Sequence, residues 1–314
     1  MTTLRQHLDR YLTMRRAMGF KLDDIERQVG LFITWLEAQG QEQSFTIEQS
    51  VTWARLNPDA HPSWWATRLS LVRRFAAYLH ATGVDVPIIP TGLLAARKPR
   101  AVPFIYTQDD IDALLGACAS EFTNERIAAT VRTVIGLLAC TGLRIGEALN
   151  LGVDDIDAED HVLHIKAAKS GERLVPIHPT TTAALKDYLA SPARAATGPD
   201  PHGPVFVTAK GTGYVYVSFF ALFKRARQAA GITPRGRARP RLHDLRHSFS
   251  TGQMTAAYAH HRDPERTLSL LATWLGHSDA AHTYWYLSST GDLMALAADL
   301  LEPHHDPHDQ GEPS

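Results

Sequence analysis

Apolar residues recur along most of this chain at intervals of three and four, and alternate singly in one short region. This pattern limits the fold more than any other feature. A 3.6-residue repeat buries one stripe of a helix, whereas a two-residue repeat buries one face of a strand. Residues 3–18 carry Leu4, Leu8, Tyr11, Leu12 and Arg15 at helical spacing and stop at Gly19. Residues 24–39 repeat the pattern with Ile25, Val29, Phe32, Ile33 and Leu36, closed by Gly40. Thr46 with Gln49 has the form of a capping box, opening a short helix that ends before Pro58. Pro62 suits the first position of a fourth helix through residue 80, with Trp65, Leu69, Val72, Ala76 and Leu79 on one face and Gly83 after it. Residues 1–84 are thus expected to form a four-helix unit. Several basic residues (Arg15, Arg16, Lys21, Arg68, Arg73, Arg74) lie on it.

Pro87, Pro90, Pro99 and Pro103, with Arg97, Lys98 and Arg100 among them, predict an extended linker over residues 85–106. Helical periodicity then resumes over 107–118, 125–140, 143–149, 179–190, 216–230 and 264–275, and in a segment carrying His243, Arg246 and His247. Single alternation occurs at 161–167 and 173–177, joined across Ser170-Gly171, which predicts a β-hairpin. Val205-Phe206-Val207 reads as a further short strand. The expected class is mainly α with a small hairpin or sheet. A second domain spans 107–302, and a disordered tail of acids, prolines and His304, His305 and His308 spans 303–314.

At 314 residues the chain can build two cores. Its two cysteines, Cys118 and Cys140, make neither a disulfide framework nor a metal-binding pair, and fit a reduced cytoplasm. No signal peptide and no membrane-length apolar run are expected. Net charge is −1, but its distribution is uneven. Lys224, Arg225, Arg227, Arg235, Arg237, Arg239, Arg241 and Arg246 face one acid, Asp244, within residues 221–247. Such a segment suits a phosphate backbone, or forms a solvated basic loop.

Three separated motifs carry chemistry. T-G-L-R-I-G-E-A-L (141–149) supplies Arg144, R-L-H-D-L-R-H (241–247) supplies His243 and Arg246, and L-G-H-S-D followed by Y-W-Y-L supplies His277, Tyr284 and Tyr286. Two arginines can clamp one phosphate with forked, charge-assisted hydrogen bonds. A tyrosine hydroxyl can attack phosphorus and hold a covalent intermediate, and histidines can move the protons.

In their order these motifs resemble the tyrosine recombinase (phage integrase) family, over roughly residues 105–290. The Y-W-Y-L-S ending and the N-terminal Y-L-T-M-R-R-A-M-G-F look most like its transposon-encoded members. The resemblance implies a SAM-like helical core-binding domain that clamps DNA, followed by an α+β catalytic domain. It implies Arg144, His243, Arg246 and His277 around the scissile phosphate. Tyr286, nine residues after His277, takes the nucleophile's place rather than Tyr284. The family's hairpin lysine falls on Lys169, in preference to Lys166. The implied activity is site-specific strand cutting and rejoining through a 3′-phosphotyrosyl link, for integration or transposition of a mobile element, with no metal, cofactor or ATP. Implied partners are double-stranded DNA with paired sites, a homotetramer on that DNA, and accessory recombinases encoded by the same element, with no membrane. An apolar stripe at Leu293, Leu296, Ala297, Leu300 and Leu301 predicts a short terminal helix buried either on its own domain or, as the resemblance implies, on a neighbouring protomer. Three other readings stay open: a type IB topoisomerase-like enzyme, a non-catalytic DNA-binding relative, and a metal-dependent nuclease using Asp154, Asp155 and Asp157.

Overall fold

The computed structural model describes residues 2–94, 101–166, 171–260 and 262–276. Arg97, Lys98 and Arg100 of the linker, the hairpin-tip Lys169, and everything from His277 onward lie outside the described residues. The last group includes His282, Tyr284, Tyr286, the stripe at 293–301 and the tail. The chain divides into two compact units, residues 1–100 and 101–314.

The first unit is built from α1 (Leu4–Ala17), α2 (Asp23–Glu37), α3 (Ile47–Ala54) and α4 (Pro62–Ala81). Capping boxes start α1 and α3. Thr3 and Gln6 exchange backbone and side-chain hydrogen bonds, as do Thr46 and Gln49, satisfying N–H groups that the first turn leaves unpaired. Leu4, Leu8, Val29, Phe32, Trp53, Val72, Phe75 and Leu79 are among the residues of one closed core. The expected linker is packed at both ends. Val86 and Ile89 belong to this core, while Phe104 and Tyr106 belong to the core of the second unit. Among the basic residues of the unit, Arg68 is an interior group. Its guanidinium lies 3.6 Å from the Trp53 ring centroid and 4.5 Å from that of Trp64, and Nη1 donates to the Ala54 carbonyl. Stacking on indole faces lets a weakly hydrated guanidinium sit there.

The second unit opens with α5 (Gln108–Glu121) and α6 (Glu125–Thr141). α6 is the central element, packed against α5 and against two later helices, α8 (Pro179–Ala190) and α11 (Asp244–Ala259). Its buried stripe, Val131, Val134, Ile135, Leu137 and Leu138, anchors the core. Then come α7 (Ile145–Leu149) and a three-stranded antiparallel sheet of β1 (Ile156–Asp157), β2 (Val162–Ile165) and β3 (Arg173–Pro176), in that order. The hairpin register pairs Leu163 with Val175 and Ile165 with Arg173, so the apolar side chains at 163, 165 and 175 face the core. β1 is only two residues long and left no periodic trace in the sequence. After α8 come α9 (Pro192–Ala195), α10 (Tyr216–Ala229), α11 and α12 (Pro264–Leu275).

The expected strand at 205–207 is instead a buried connector. All three side chains are fully enclosed, but its backbone forms no ladder: Val205 N–H donates to the Leu151 carbonyl, Val207 and Gly213 form an isolated bridge, and the Val205 and Val207 carbonyls accept from Arg194 and Arg126. A short apolar run marks burial on both sides and cannot by itself specify a ladder. Among the described residues no helix is long and apolar enough to cross a membrane.

Candidate active site

α6 ends at Gly142, whose φ of +64° is the left-handed conformation that closes helices. A Cβ there would also lie 2.5 Å from Cδ1 of Phe249, so both backbone and space require glycine. This turn places Arg144 at the start of α7 with its side chain 31% exposed. From there Arg144 reaches the C-terminal end of α12, where Nη2 donates to the Gly276 carbonyl at 3.3 Å.

Arg246 arrives on the first turns of α11, 2% exposed. Nη1 donates to the Gly142 carbonyl at 2.8 Å and Nη2 to the Leu275 carbonyl at 2.7 Å. A third arginine, Arg173 at the head of β3, donates Nε to the Trp274 carbonyl at 2.8 Å. Three successive carbonyls, 274, 275 and 276, therefore each accept from a different arginine. They belong to the last turn of α12, where carbonyls lack helical partners and carry the negative end of the helix dipole.

Glu147 ties this group together. It is 6% exposed, and Arg173 grips it bidentately, Nη1 to Oε1 at 3.1 Å and Nη2 to Oε2 at 2.7 Å. Arg144 adds its backbone N–H at 3.0 Å and Nη1 at 2.9 Å. Burial alone would push the Glu147 carboxyl up. The hydrogen bonds from Arg173 and Arg144, with Arg173's charge, hold it below the usual carboxylate range. Trp274 Nε1 donates to the Thr141 carbonyl at 2.8 Å, fixing α12 against the end of α6.

His243 immediately precedes α11, its ring edge-on to His247 with centroids 5.0 Å apart. Burial first, and then the Arg246 charge, push its pKa down, so the ring is neutral at pH 7. Arg144 is near enough to contribute to that shift. Its neighbour Asp244 is fully enclosed and receives the backbone N–H, Nε and Nη2 of Arg241.

The predicted residues Arg144 and Arg246 are thus brought together at the C-terminus of α12, with His243 near enough to feel both charges. Lys169, His277 and Tyr286 lie outside the described residues. Lys166 sits at the foot of the hairpin with Nζ 2.5 Å from Asp155 Oδ1. The acids of the nuclease reading have local roles. Asp155 pairs with Lys166, Asp154 with His202, and Asp157 accepts from two turn N–H groups.

The basic segment divides as well. Arg225 pairs with Glu121, Arg235 with Asp110 and Arg241 with Asp244, while Arg227 donates to the Pro240 carbonyl. Lys224, Arg237 and Arg239 are exposed and form no ion pair among the described residues. Sequence reasoning missed Glu147 and Arg173. The signal for Glu147 was its place three residues after Arg144, one helical turn on. Arg173 had only the oddity of a cation opening an apolar strand.

A profile described as the phage integrase family matches residues 105–291. Over 313 residues the chain is 39% identical to y4rB, a protein of Sinorhizobium fredii named as an integrase/recombinase, with 96% of this chain and 98% of that one covered. It is 32% identical to a tyrosine recombinase XerD of Xanthomonas axonopodis pv. citri, covering 91% of this chain and 92% of the other. Among solved structures, the Tn1549 transposon integrase in complex with transposon right end DNA matches with a TM-score of 0.64 at 16% identity, covering 96% of this chain and all of that one. A lambda integrase dimer bound to a core site matches with a TM-score of 0.63 at 18% identity, covering 92% and 97%. At these identities the structural likeness speaks for the fold.

Proposed function

Because this chain belongs to the phage integrase family and is a tyrosine-type site-specific DNA recombinase, we propose that it integrates or transposes a mobile element through a 3′-phosphotyrosyl link to Tyr286. The Tyr286 oxygen attacks the scissile phosphorus and the bond to the 5′-oxygen breaks. His243, neutral at pH 7, accepts the tyrosine proton, and Lys169 supplies one to the leaving 5′-oxygen. The freed 5′-hydroxyl of a partner strand then reverses the step, so the bond energy is conserved without ATP or a metal. Arg144 and Arg246 offset charge developing on the non-bridging oxygens, and His277 donates a hydrogen bond there. Lys169 is preferred over Lys166 as the proton donor because Asp155 already holds Lys166.

The observation that carries this reading is the meeting of Arg144 and Arg246 on adjacent carbonyls, Gly276 and Leu275, directly before His277 in the chain. The DNA is duplex with paired sites, held by both units, and the protein is cytoplasmic. Accessory recombinases of the same element would act beside it. For assembly, the apolar stripe 293–301 needs a receptor. A cavity of about 710 Å³, lined in part by Ile177, Phe249, Leu270, Leu271 and Trp274, supplies one on a neighbouring protomer of a DNA-bound tetramer.

Covalent capture tests the chemistry. A randomised duplex pool carrying a nick is incubated with the chain in EDTA, and denaturation-resistant adducts are recovered. The unaltered protein should give an adduct and Tyr286→Phe none, with DNA binding retained. An adduct that survives Tyr286→Phe, or one that forms only with added magnesium, overturns the reading.

A further inference from the structure

We propose that Arg173 is a positioning residue for strand cleavage, holding Arg144 in register with the scissile phosphate through Glu147 and the end of α12. This rests on the role given above to Arg144.

Arg144 stands where a flexible side chain on a short helix would ordinarily sample several rotamers. Among the described residues it is restrained from at least two directions, by Glu147 on one side and by the Gly276 carbonyl on the other. Glu147 cannot provide its share alone. A buried carboxylate facing a single arginine that is itself 31% exposed would be poorly compensated. Arg173 solves this with a second guanidinium that is only 10% exposed and approaches both carboxylate oxygens in the planar fork that suits arginine and not lysine. Its remaining Nε–H is bonded to the Trp274 carbonyl, so the same group also fixes the helix end whose next two carbonyls orient Arg246 and Arg144. One side chain on β3 thereby joins three segments far apart in sequence: the hairpin, the α7 turn and the α12 terminus. Errors of an ångström in such a donor set cost large factors in rate without changing how tightly DNA is held.

The substrate is the duplex obtained by covalent capture on the unaltered chain, made also with a methylphosphonate at the scissile position. That group is neutral where Arg144 acts, so a misplaced Arg144 matters less on it. Arg173→Gln should bind the duplex within about twofold of the parent, yet cleave the normal phosphate roughly 10- to 100-fold more slowly. On the methylphosphonate most of that deficit should disappear, as it should for Arg144→Ala. Arg173→Lys should show an intermediate deficit with the same relief. A parental cleavage rate for Arg173→Gln overturns the proposal, and so does a deficit of equal size on both substrates, which marks a merely structural residue. If neither Arg173 variant folds, Arg173 is part of the scaffold and the proposal also fails. Undiminished cleavage by Arg144→Ala would instead remove the reading of the site on which the proposal rests.

Discussion

At the scale of single residues, the site shows how a histidine's charge state is set by its neighbours. His243 is desolvated and lies beside Arg246, and both disfavour its protonated form. Its folded-state pKa is therefore below the ordinary value of about 6.5. The unfolded chain binds the proton first as pH falls, so stability declines from about pH 6.5 downward to the folded-state pKa and is flat above that window. His243→Gln should remove this share. Denaturant melts between about pH 5 and pH 7 should show a shallower pH dependence for the variant, while His7, lowered by burial in the first unit, contributes equally to both proteins. Equal slopes would mean that His243 is not held neutral. Arg144, His243 and Arg246 could be singled out in the sequence by their local motifs, and the fold brings them near one another. Arg173 was not singled out, because its bonds to Glu147 join positions 26 apart in the chain, and Glu147 was passed over although it stands one helical turn after Arg144. Arg68 misled for a related reason: Trp64 lies one helical turn before it, but nothing in its local sequence announces that Trp53 of another helix will also stack on it.

At the scale of elements, helices were the most readable part, since many carry their own start signals. Thr3, Thr46, Thr107 and Asn124 cap α1, α3, α5 and α6, and Pro62, Pro179 and Pro264 occupy first turns. Strands depend on distant partners, which is why β1 escaped notice and residues 205–207 were read as a strand that pairs with nothing regular. The junction between α6 and α7 deserves a direct test. Gly142→Ala forces a left-handed alanine and drives its Cβ into Phe249. We expect a loss of roughly 2 kcal/mol or more in denaturant unfolding. Cleavage should weaken too, because the Gly142 carbonyl orients Arg246. A loss under about 0.5 kcal/mol, the range of an ordinary surface change, would show that the turn relaxes freely.

At the scale of the whole molecule, the first unit closes its core without help from the second. Every member of that cluster lies between Leu4 and Ile89, with Leu94 packed against it. Residues 1–94 expressed alone should therefore melt cooperatively, giving a sigmoidal transition by circular dichroism. A broad, featureless melt would mean that the core depends on the rest of the chain. The place where the units divide was only roughly legible. Proline marks stiffness, but it does not say which apolar neighbours, Val86 and Ile89 or Phe104 and Tyr106, will be drawn into which core.

The arginines of the site take hold of the end of α12 through peptide carbonyls, and a peptide carbonyl is the same acceptor whichever residue carries it. Natural drift can therefore rewrite outward positions of that helix such as Glu265, Ser269 and Thr273, which are all exposed, while the arginine cluster keeps its acceptors. A lineage can refit this surface to new companions without reinventing its chemistry, and an engineer seeking altered partner choice can begin mutagenesis there.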